Sequence, residues 1–284
     1  MTAGTLYLVA TPIGNLDDIS ERAAQTLAQV DFVAAEDTRV TRKLLEHLGI
    51  KKRLVSYHEH NLRESGENIV GRLQSGDSCA LVTDAGTPGI SDPGEGLVRL
   101  CADAGIPIIA IPGPCAAIAA LAISGLPTGR FVFEGFLSTA RKNRFDRLNA
   151  LKAETRTLIF YEAPHKLMRT LSDMLAVFGN RRVSISRELT KMYDETIRCT
   201  LTEANAHFSR TPPRGEFVLI VEGANVYEAP ENKLEQAAFA VSAYVDIGLS
   251  MKDAVKKAAE ESGVPKNALY NTVIKSSEFG IRNL

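Results

Sequence analysis

The run Val82-Thr83-Asp84-Ala85-Gly86-Thr87-Pro88-Gly89-Ile90-Ser91-Asp92-Pro93-Gly94 puts glycines, prolines and two carboxylates directly after an apolar, strand-like stretch. Glycine lets a ligand approach the main chain closely, and proline stiffens the frame around that approach. Such a loop suits a small molecule held largely by backbone atoms; with no ligand it is an ordinary tight connection. Four further apolar runs end in similarly dense polar loops: Thr11-Pro12-Ile13-Gly14-Asn15, Glu36-Asp37-Thr38-Arg39, Tyr57-His58-Glu59-His60-Asn61 and Pro112-Gly113-Pro114-Cys115. A dinucleotide site would show Gly-x-Gly-x-x-Gly after the first strand, and a P-loop would end in Lys-Ser/Thr; neither is present. Prolines remove amide donors, so Thr11 to Asn15 makes a poor cradle for pyrophosphate. A phosphate-free ligand fits better, and S-adenosylmethionine meets that description.

The elements that must position these loops alternate. Strand-like runs Leu6 to Ala10, Phe32 to Ala35, Leu54 to Ser56, Cys79 to Thr83 and Ile108 to Ile111 are separated by helical patterns at Asp18 to Gln29, Arg39 to Leu48, Arg63 to Gln74 and Gly94 to Ala104. That order predicts a mainly parallel sheet covered on both faces. Ligands of such sheets bind beyond the carboxyl ends of the strands, so the five loops are expected to meet at one cleft. A helix over Cys115 to Ile123 precedes Ser124-Gly125-Leu126-Pro127, which reads as a domain boundary. Strands at Phe131 to Phe136, Thr157 to Tyr161, Arg182 to Arg187, Thr196 to Thr200 and Glu216 to Val221 follow, with helices at Lys142 to Leu151 and Lys166 to Phe178. The direct succession of strands between Arg187 and Glu195 predicts antiparallel pairing and a mixed sheet. After Gly223-Ala224-Asn225, Pro230 and its polar neighbours read as a linker to three short helices near Lys233 to Val245, Met251 to Ser262 and Lys266 to Ser276. The expectation is an α/β chain with domains at 1–126 and 127–225 and a helical tail at 232–284. Lys266, Asn267, Tyr270, Asn271 and Lys275 after Gly263-Val264-Pro265 suit a helix-turn-helix, or equally a plain helical cap or dimerisation element.

A chain of 284 residues with 45% hydrophobic content buries a large core, as one large or two ordinary domains. Thirty-three basic against thirty-four acidic residues leave a net charge of -1, so a polyanion would be held by local patches rather than by the overall field. The start carries no secretion-signal pattern, and the longest apolar run is too short to span a bilayer, which points to the cytoplasm. Cys79, Cys101, Cys115 and Cys199 are scattered, without zinc or disulfide spacing. His58 and His60 lack further clear ligands, and no metal is expected.

Taken together, several motifs resemble the ribosomal RNA small subunit methyltransferase I family. They are Thr11 to Leu16, Ala35 to Arg39, the Asp84 to Gly94 loop, Ile111 to Pro114, Phe160-Tyr161-Glu162-Ala163-Pro164-His165, Arg187-Glu188-Leu189-Thr190-Lys191 and Gly215 to Gly223. The resemblance spans the chain, tail included; the combination is specific where single motifs are not. It implies the tetrapyrrole methylase superfamily, with two α/β domains that hold S-adenosylmethionine between them, and 2′-O-methylation of a cytidine in the decoding region of 16S rRNA. It also implies 16S rRNA or the small ribosomal subunit as partner, and a homodimer. By position, the implied cofactor residues are Pro12, Asp84, Ala85, Gly86, Ile90, Ser91, Gly113, Cys115, Ala116 and Tyr161. Cys115 stands where relatives often carry serine, and Ser138 where proline is common.

Methyl transfer to a ribose hydroxyl is an in-line displacement that rests on alignment in a water-poor cleft. A group that accepts the hydroxyl proton assists, and Glu188, with Lys191 beside it, is the first candidate; a structural ion pair with Arg187 or Lys191 explains the same residues. His165 and Lys166 open a helix and suit an RNA phosphate. Arg141, Lys142, Arg144 and Arg147 form a basic cluster that either tracks an RNA backbone or is plain surface. Arg39, Arg42 and Lys43, with Lys51, Lys52 and Arg53, extend that path, and His58 and Arg187 join it. Phe136 and Tyr161 suit stacking on a flipped base or simple core packing. Two other functions remain open, a small-molecule methylase acting on a tetrapyrrole and a non-catalytic RNA-binding protein; the tail and the basic clusters favour RNA.

Overall fold

The computed structural model describes residues 3–224 and 228–280. The chain forms two compact units, Met1–Gly223 and Ala224–Leu284. The first begins with parallel strands β1 (Leu6–Val9), β2 (Phe32–Ala35), β3 (Arg53–Ser56), β4 (Cys79–Val82) and β5 (Ile108–Ile111), in the order β3-β2-β4-β1-β5. Every residue of β2 and β4 is buried, which is why both read as unbroken apolar runs. Alternate side chains go to opposite faces. Phe32, Ala34, Cys79 and Leu81 pack with helices α3 (Leu62–Gln74) and α4 (Glu95–Asp103), whereas Val33, Ala35, Ala80 and Val82 pack with α1 (Glu21–Gln29) and α2 (Thr38–His47).

Helix α5 (Ala116–Ile123) follows β5 and leads through Ser124 and Gly125 to a second sheet. That sheet comprises β6 (Phe131–Phe136), β7 (Thr157–Glu162), β8 (Arg182–Arg187), β9 (Glu195–Thr200) and β10 (Phe217–Val221), ordered β6-β7-β10-β8-β9. Only β6 and β7 pair in parallel; the other neighbours are antiparallel, as the Arg187 to Glu195 hairpin predicts. One face packs on α6 (Arg141–Ala150), α7 (Pro164–Phe178) and α8 (Leu201–Arg210); the other receives Ala117, Ala120 and Leu121 of α5. Helix α5 is apolar around its whole circumference, yet only one side is covered by the second sheet, and Ile118 and Ile123 on the rest of its surface stay exposed.

Three local readings need correction. Helix α8 is absent from the expected elements although Thr200 and Glu203 form a reciprocal capping box at its start. The helix expected from Asp18 begins only at Glu21, because the Ser20 side chain accepts the Ala23 N–H and caps it there; Leu16–Asp18 is a separate 3-10 turn. Pro230 lies in the first turn of α9 (Glu228–Asp246) rather than in a linker, a position where proline removes no helical bond; Asn225 falls outside the described residues.

The second unit adds α10 (Met251–Ser262) and α11 (Lys266–Gly280). Ser250 caps α10 and Gly263 ends it in the left-handed region. Ala237 and Val241 of α9 pack on Ala254, Val255 and Ala258 of α10 and Leu269 of α11. Among the described residues, no helix is long and apolar enough to cross a membrane.

Candidate active-site cleft

A cavity of about 310 Å³ opens within the first unit, where strand-end loops of the parallel sheet face the second sheet. From the first side it is lined by Ile13 after β1, Glu36 after β2, the Asp84 to Thr87 and Ile90 to Asp92 segments after β4, and Cys115-Ala116 at the head of α5. From the second side come Phe136 at the end of β6, Tyr161 and Glu162 of β7, Ser186 of β8, Glu188, Leu189 and Lys191 beyond it, and Glu216 to Val218. Four of the five expected loops therefore converge. The loop after β3 does not line the cavity, since β3 is the far edge of the sheet.

The floor is a backbone frame. Thr11 and Gly86 exchange both main-chain bonds, at 2.9 and 3.1 Å, and the Thr11 hydroxyl donates to the Thr83 carbonyl at 3.1 Å. Thr87 Oγ1 donates to the Pro114 carbonyl at 3.0 Å. Of the expected cofactor residues, Asp84, Ala85, Gly86, Ile90, Ser91, Cys115, Ala116 and Tyr161 line the cavity. Pro12 and Gly113 do not; a Cβ on Gly113 would stand 2.9 Å from Ala10 Cβ, so that glycine serves the packing of two loops behind the floor.

The floor is also acidic. Glu36 Oε2 accepts from Thr83 Oγ1 at 2.6 Å, and Asp84 Oδ1 accepts the Asp37 N–H at 3.1 Å. Burial, then the neighbouring charge of Glu36, raises the Asp84 carboxyl. Asp92 is pushed up to about 6, first by burial and then by the charges of Glu36, Asp84 and Glu216, against a lowering bond from Thr83. A raised carboxyl favours its protonated form in the fold, so its stabilising contribution is full below the ordinary carboxylate range and is lost as pH rises through about 6. After allowance for partial exposure, Asp92→Asn is expected to stabilise the protein by about 1 kcal/mol at pH 8 and to leave it unchanged below about pH 4. Thermal melts at both pH values check this, and a gain persisting in acid would trace to packing instead.

The opposite wall is aromatic and charged. Tyr161 OH accepts the Ala117 N–H at 3.1 Å, tying β7 to α5, and its ring lies 5.2 Å from Phe133 and 5.5 Å from Phe136. Burial, then Cys115 beside it, raises the phenol. Glu188 and Thr190 hold positive φ values of 50° and 67°, and Ser91 across the cleft holds 67°, conformations that side-chain-bearing residues keep only where surroundings enforce them. Two glycines supply the room. A Cβ on Gly215 would stand 2.4 Å from Glu188 Oε1, and one on Gly14 would stand 2.5 Å from Lys191 Cγ. Asn15 N–H donates to Thr190 Oγ1 at 3.1 Å, so the loop after β1 braces the loop after β8. Glu188 Oε1 accepts from Lys191 Nζ at 3.0 Å and from the Glu216 N–H at 3.4 Å, and no other bond to this carboxylate forms among the described residues.

The basic residues divide. Arg144 is 2% exposed, donating to Asp173 at 2.7 Å and to the Ser138 and Thr139 carbonyls, so it is a core residue and is withdrawn from the RNA path. Arg147 forks onto the buried Glu134 carboxylate at 2.6 and 2.8 Å. Arg141 is exposed, over the Phe145 ring. Lys166 lies 3.9 Å from Glu162 and above Phe136 at the lip, next to the exposed His165. Arg39 bonds Asp37, Arg187 bonds Glu195 at 2.5 Å, and neither lines the cavity. His58 stands outside it, its ring edge-on to His60 and its Nδ1 buried without a partner. Glu36, Asp92, Ser186 and Glu216 were missed as site residues. Glu36, Asp92 and Glu216 lay within motifs named above; the Arg182 to Arg187 alternation puts Ser184 and Ser186 on one face, but nothing in the sequence places that face on the cleft.

The family model for tetrapyrrole (corrin/porphyrin) methylases matches residues 5–205. The ribosomal RNA small subunit methyltransferase I of Synechocystis sp. is 48% identical over 278 residues, covering 98% of this chain and all of the relative. Its counterpart from Halalkalibacterium halodurans is 50% identical, covering 94% of each chain. Among solved structures, uroporphyrin-III C-methyltransferase from Thermus thermophilus, complexed with S-adenyl homocysteine, shares the fold at a TM-score of 0.56 and 16% identity, over 77% of this chain and 97% of that one. With near full-length identity of about half, the chain belongs to the ribosomal RNA small subunit methyltransferase I family, built on the tetrapyrrole methylase fold.

Proposed function

We propose that this protein transfers a methyl group from S-adenosylmethionine to the 2′-hydroxyl of a cytidine ribose in the decoding region of 16S rRNA, in the cytoplasm. The observation that carries the reading is the cavity itself: an acidic, glycine- and proline-framed floor facing Glu188 and Lys191. The residues fit the cofactor. Glu36, Asp84 and Asp92 suit a cation and repel phosphate, and the raised carboxyl of Asp92 marks a place that a positive charge would relieve. Ile13, Ala85, Ile90 and Ala116 supply apolar wall for an adenine. Full-length relatives named for ribosomal RNA methylation support RNA over a tetrapyrrole as substrate.

When bound, S-adenosylmethionine supplies an electrophilic methyl on a sulfonium. The protein's part is alignment and proton transfer. Lys191 Nζ and the Glu216 N–H hold Glu188 Oε1, and Oε2 takes the proton of the ribose hydroxyl. Phe136 and Tyr161 screen the cavity from water. The thioether product lacks the sulfonium charge. Asp92→Asn is therefore expected to weaken S-adenosylmethionine about tenfold and the product far less, from a Coulomb term of about 1–2 kcal/mol for a charge pair in a partly buried site. Equal weakening of both ligands in calorimetry would assign Asp92 to shape rather than charge.

Mapping ribose methylation in rRNA from cells with and without the protein tests the whole reading, and an identical pattern would refute it. We also propose a homodimer: α5 leaves Ile118 49% and Ile123 43% exposed, and the edge strand β5 exposes Ile109, apolar surface that a second copy would cover. A single-chain mass in sedimentation velocity would sink it.

A further inference from the structure

Among residues 3–224, the large apolar side chains with the greatest exposure are Met192 at 90%, Tyr193 at 69% and Phe136 at 55%. They are not scattered. Phe136 lines the cavity, and Met192 and Tyr193 follow directly on Lys191, which lines it as well. Leu16, 43% exposed, follows Asn15, whose N–H bonds Thr190 of the same loop. Isolated exposed apolar residues are ordinary; an adjacent pair on a braced loop beside a substrate cavity calls for a partner. The bracing is explicit. Lys191 N–H donates to the Glu188 carbonyl at 3.0 Å, Asp194 N–H to the Lys191 carbonyl at 3.1 Å, and Thr190 N–H to Asp194 Oδ2 at 2.8 Å. A loop held this way loses little conformational freedom when something docks on it.

We infer that Met192 and Tyr193 form a wedge that enters the base stack of a folded RNA next to the nucleotide whose ribose occupies the cavity. The inference rests on the ribose-methylation reading above. A 2′-hydroxyl in a stacked, folded RNA reaches an enclosed cavity only if its nucleotide leaves the stack, and inserted apolar side chains offset part of that unstacking. Glu36, Asp84 and Asp92 on the floor and Glu216 on the facing wall repel phosphodiester inside the cavity, so recognition beside the target ribose falls to base faces. Tyr193 and Phe136 offer rings on which a base face can stack. A second copy of the chain seated on this loop would lie at the mouth through which RNA must enter, which favours RNA as the occupant.

The test is the double variant Met192→Ala/Tyr193→Ala, assayed in single turnover on unmethylated small ribosomal subunits. Transfer is expected to fall about tenfold or more, with melting temperature and S-adenosylmethionine affinity unchanged, and Met192→Leu/Tyr193→Phe is expected to restore it. Chemical probing of the bound subunit is expected to show the base flanking the methylated cytidine unstacked with wild type and stacked with the double variant. Wild-type rates in the double variant, or unstacking that persists in it, overturn the wedge. Loss of a dimer in sedimentation of the double variant assigns the loop to a second copy and overturns it too. If wild type binds S-adenosylmethionine yet methylates no ribose in the subunit, the ribose-methylation reading fails, and the wedge with it.

Discussion

Replacing Glu188 by glutamine is expected to slow single-turnover methyl transfer about 100-fold while leaving S-adenosylmethionine affinity within about twofold. The amide keeps the size of the side chain and can still accept from Lys191 Nζ and the Glu216 N–H, so the left-handed backbone at residue 188 and the space left by Gly215 are undisturbed. What it loses is an oxygen able to take a proton. Lys191→Met separates the proton acceptor from its support: if Lys191 Nζ only orients Glu188, the methionine variant should lose less than the glutamine variant, and the two losses should not add. A Glu188→Gln rate within twofold of wild type would remove Glu188 from the chemistry. A comparable drop in cofactor affinity would instead make it part of the cofactor's pocket.

The frame of this cavity was legible from residue order, and its contents were legible only in part. The central strands β2 and β4 are buried on both faces, so their apolar runs announce them, and the rule that ligands sit beyond strand carboxyl ends located the loops after β1, β2, β4 and β5. The same rule over-reached at the loop after β3, because strand order, which sends β3 to the sheet edge, is set by long-range pairing. Ser186 and Glu216 escaped for a related reason: they reach the cleft through the β7-β10-β8 order, which adjacency in the chain does not encode. Glu36 and Asp92 stood in plain view, yet their importance lies in being close to each other across residues far apart in sequence. Charge density was the least reliable guide. Four positive residues between Arg141 and Arg147 suggested a track for RNA, but Arg144 and Arg147, three apart on one helix face, turn inward onto the partly buried Asp173 and the buried Glu134 carboxylates.

Arg144→Met is for that reason expected to destabilise the protein by about 3–5 kcal/mol, a loss of roughly 6–20 °C in melting temperature for a unit of this size. Methionine removes the cation but leaves the Asp173 carboxylate, 15% exposed, without its partner and strips the Ser138 and Thr139 carbonyls of their donor. Those two carbonyls lie two and three residues beyond Phe136, so the same bonds fix the lip of the cavity and tie α6 and α7 to it. Pairing the change with Asp173→Leu should recover much of the stability, since a buried ion pair exchanged for apolar contact is often close to neutral. The carbonyls at Ser138 and Thr139 would still lack a donor, so methyl transfer in the double variant should stay below wild type even where stability returns. Denaturant melts and single-turnover rates on the single and double variants decide it. If Arg144→Met lost RNA affinity with its stability intact, the arginine would belong on the RNA path after all, and its burial against Asp173 would have to open when RNA binds.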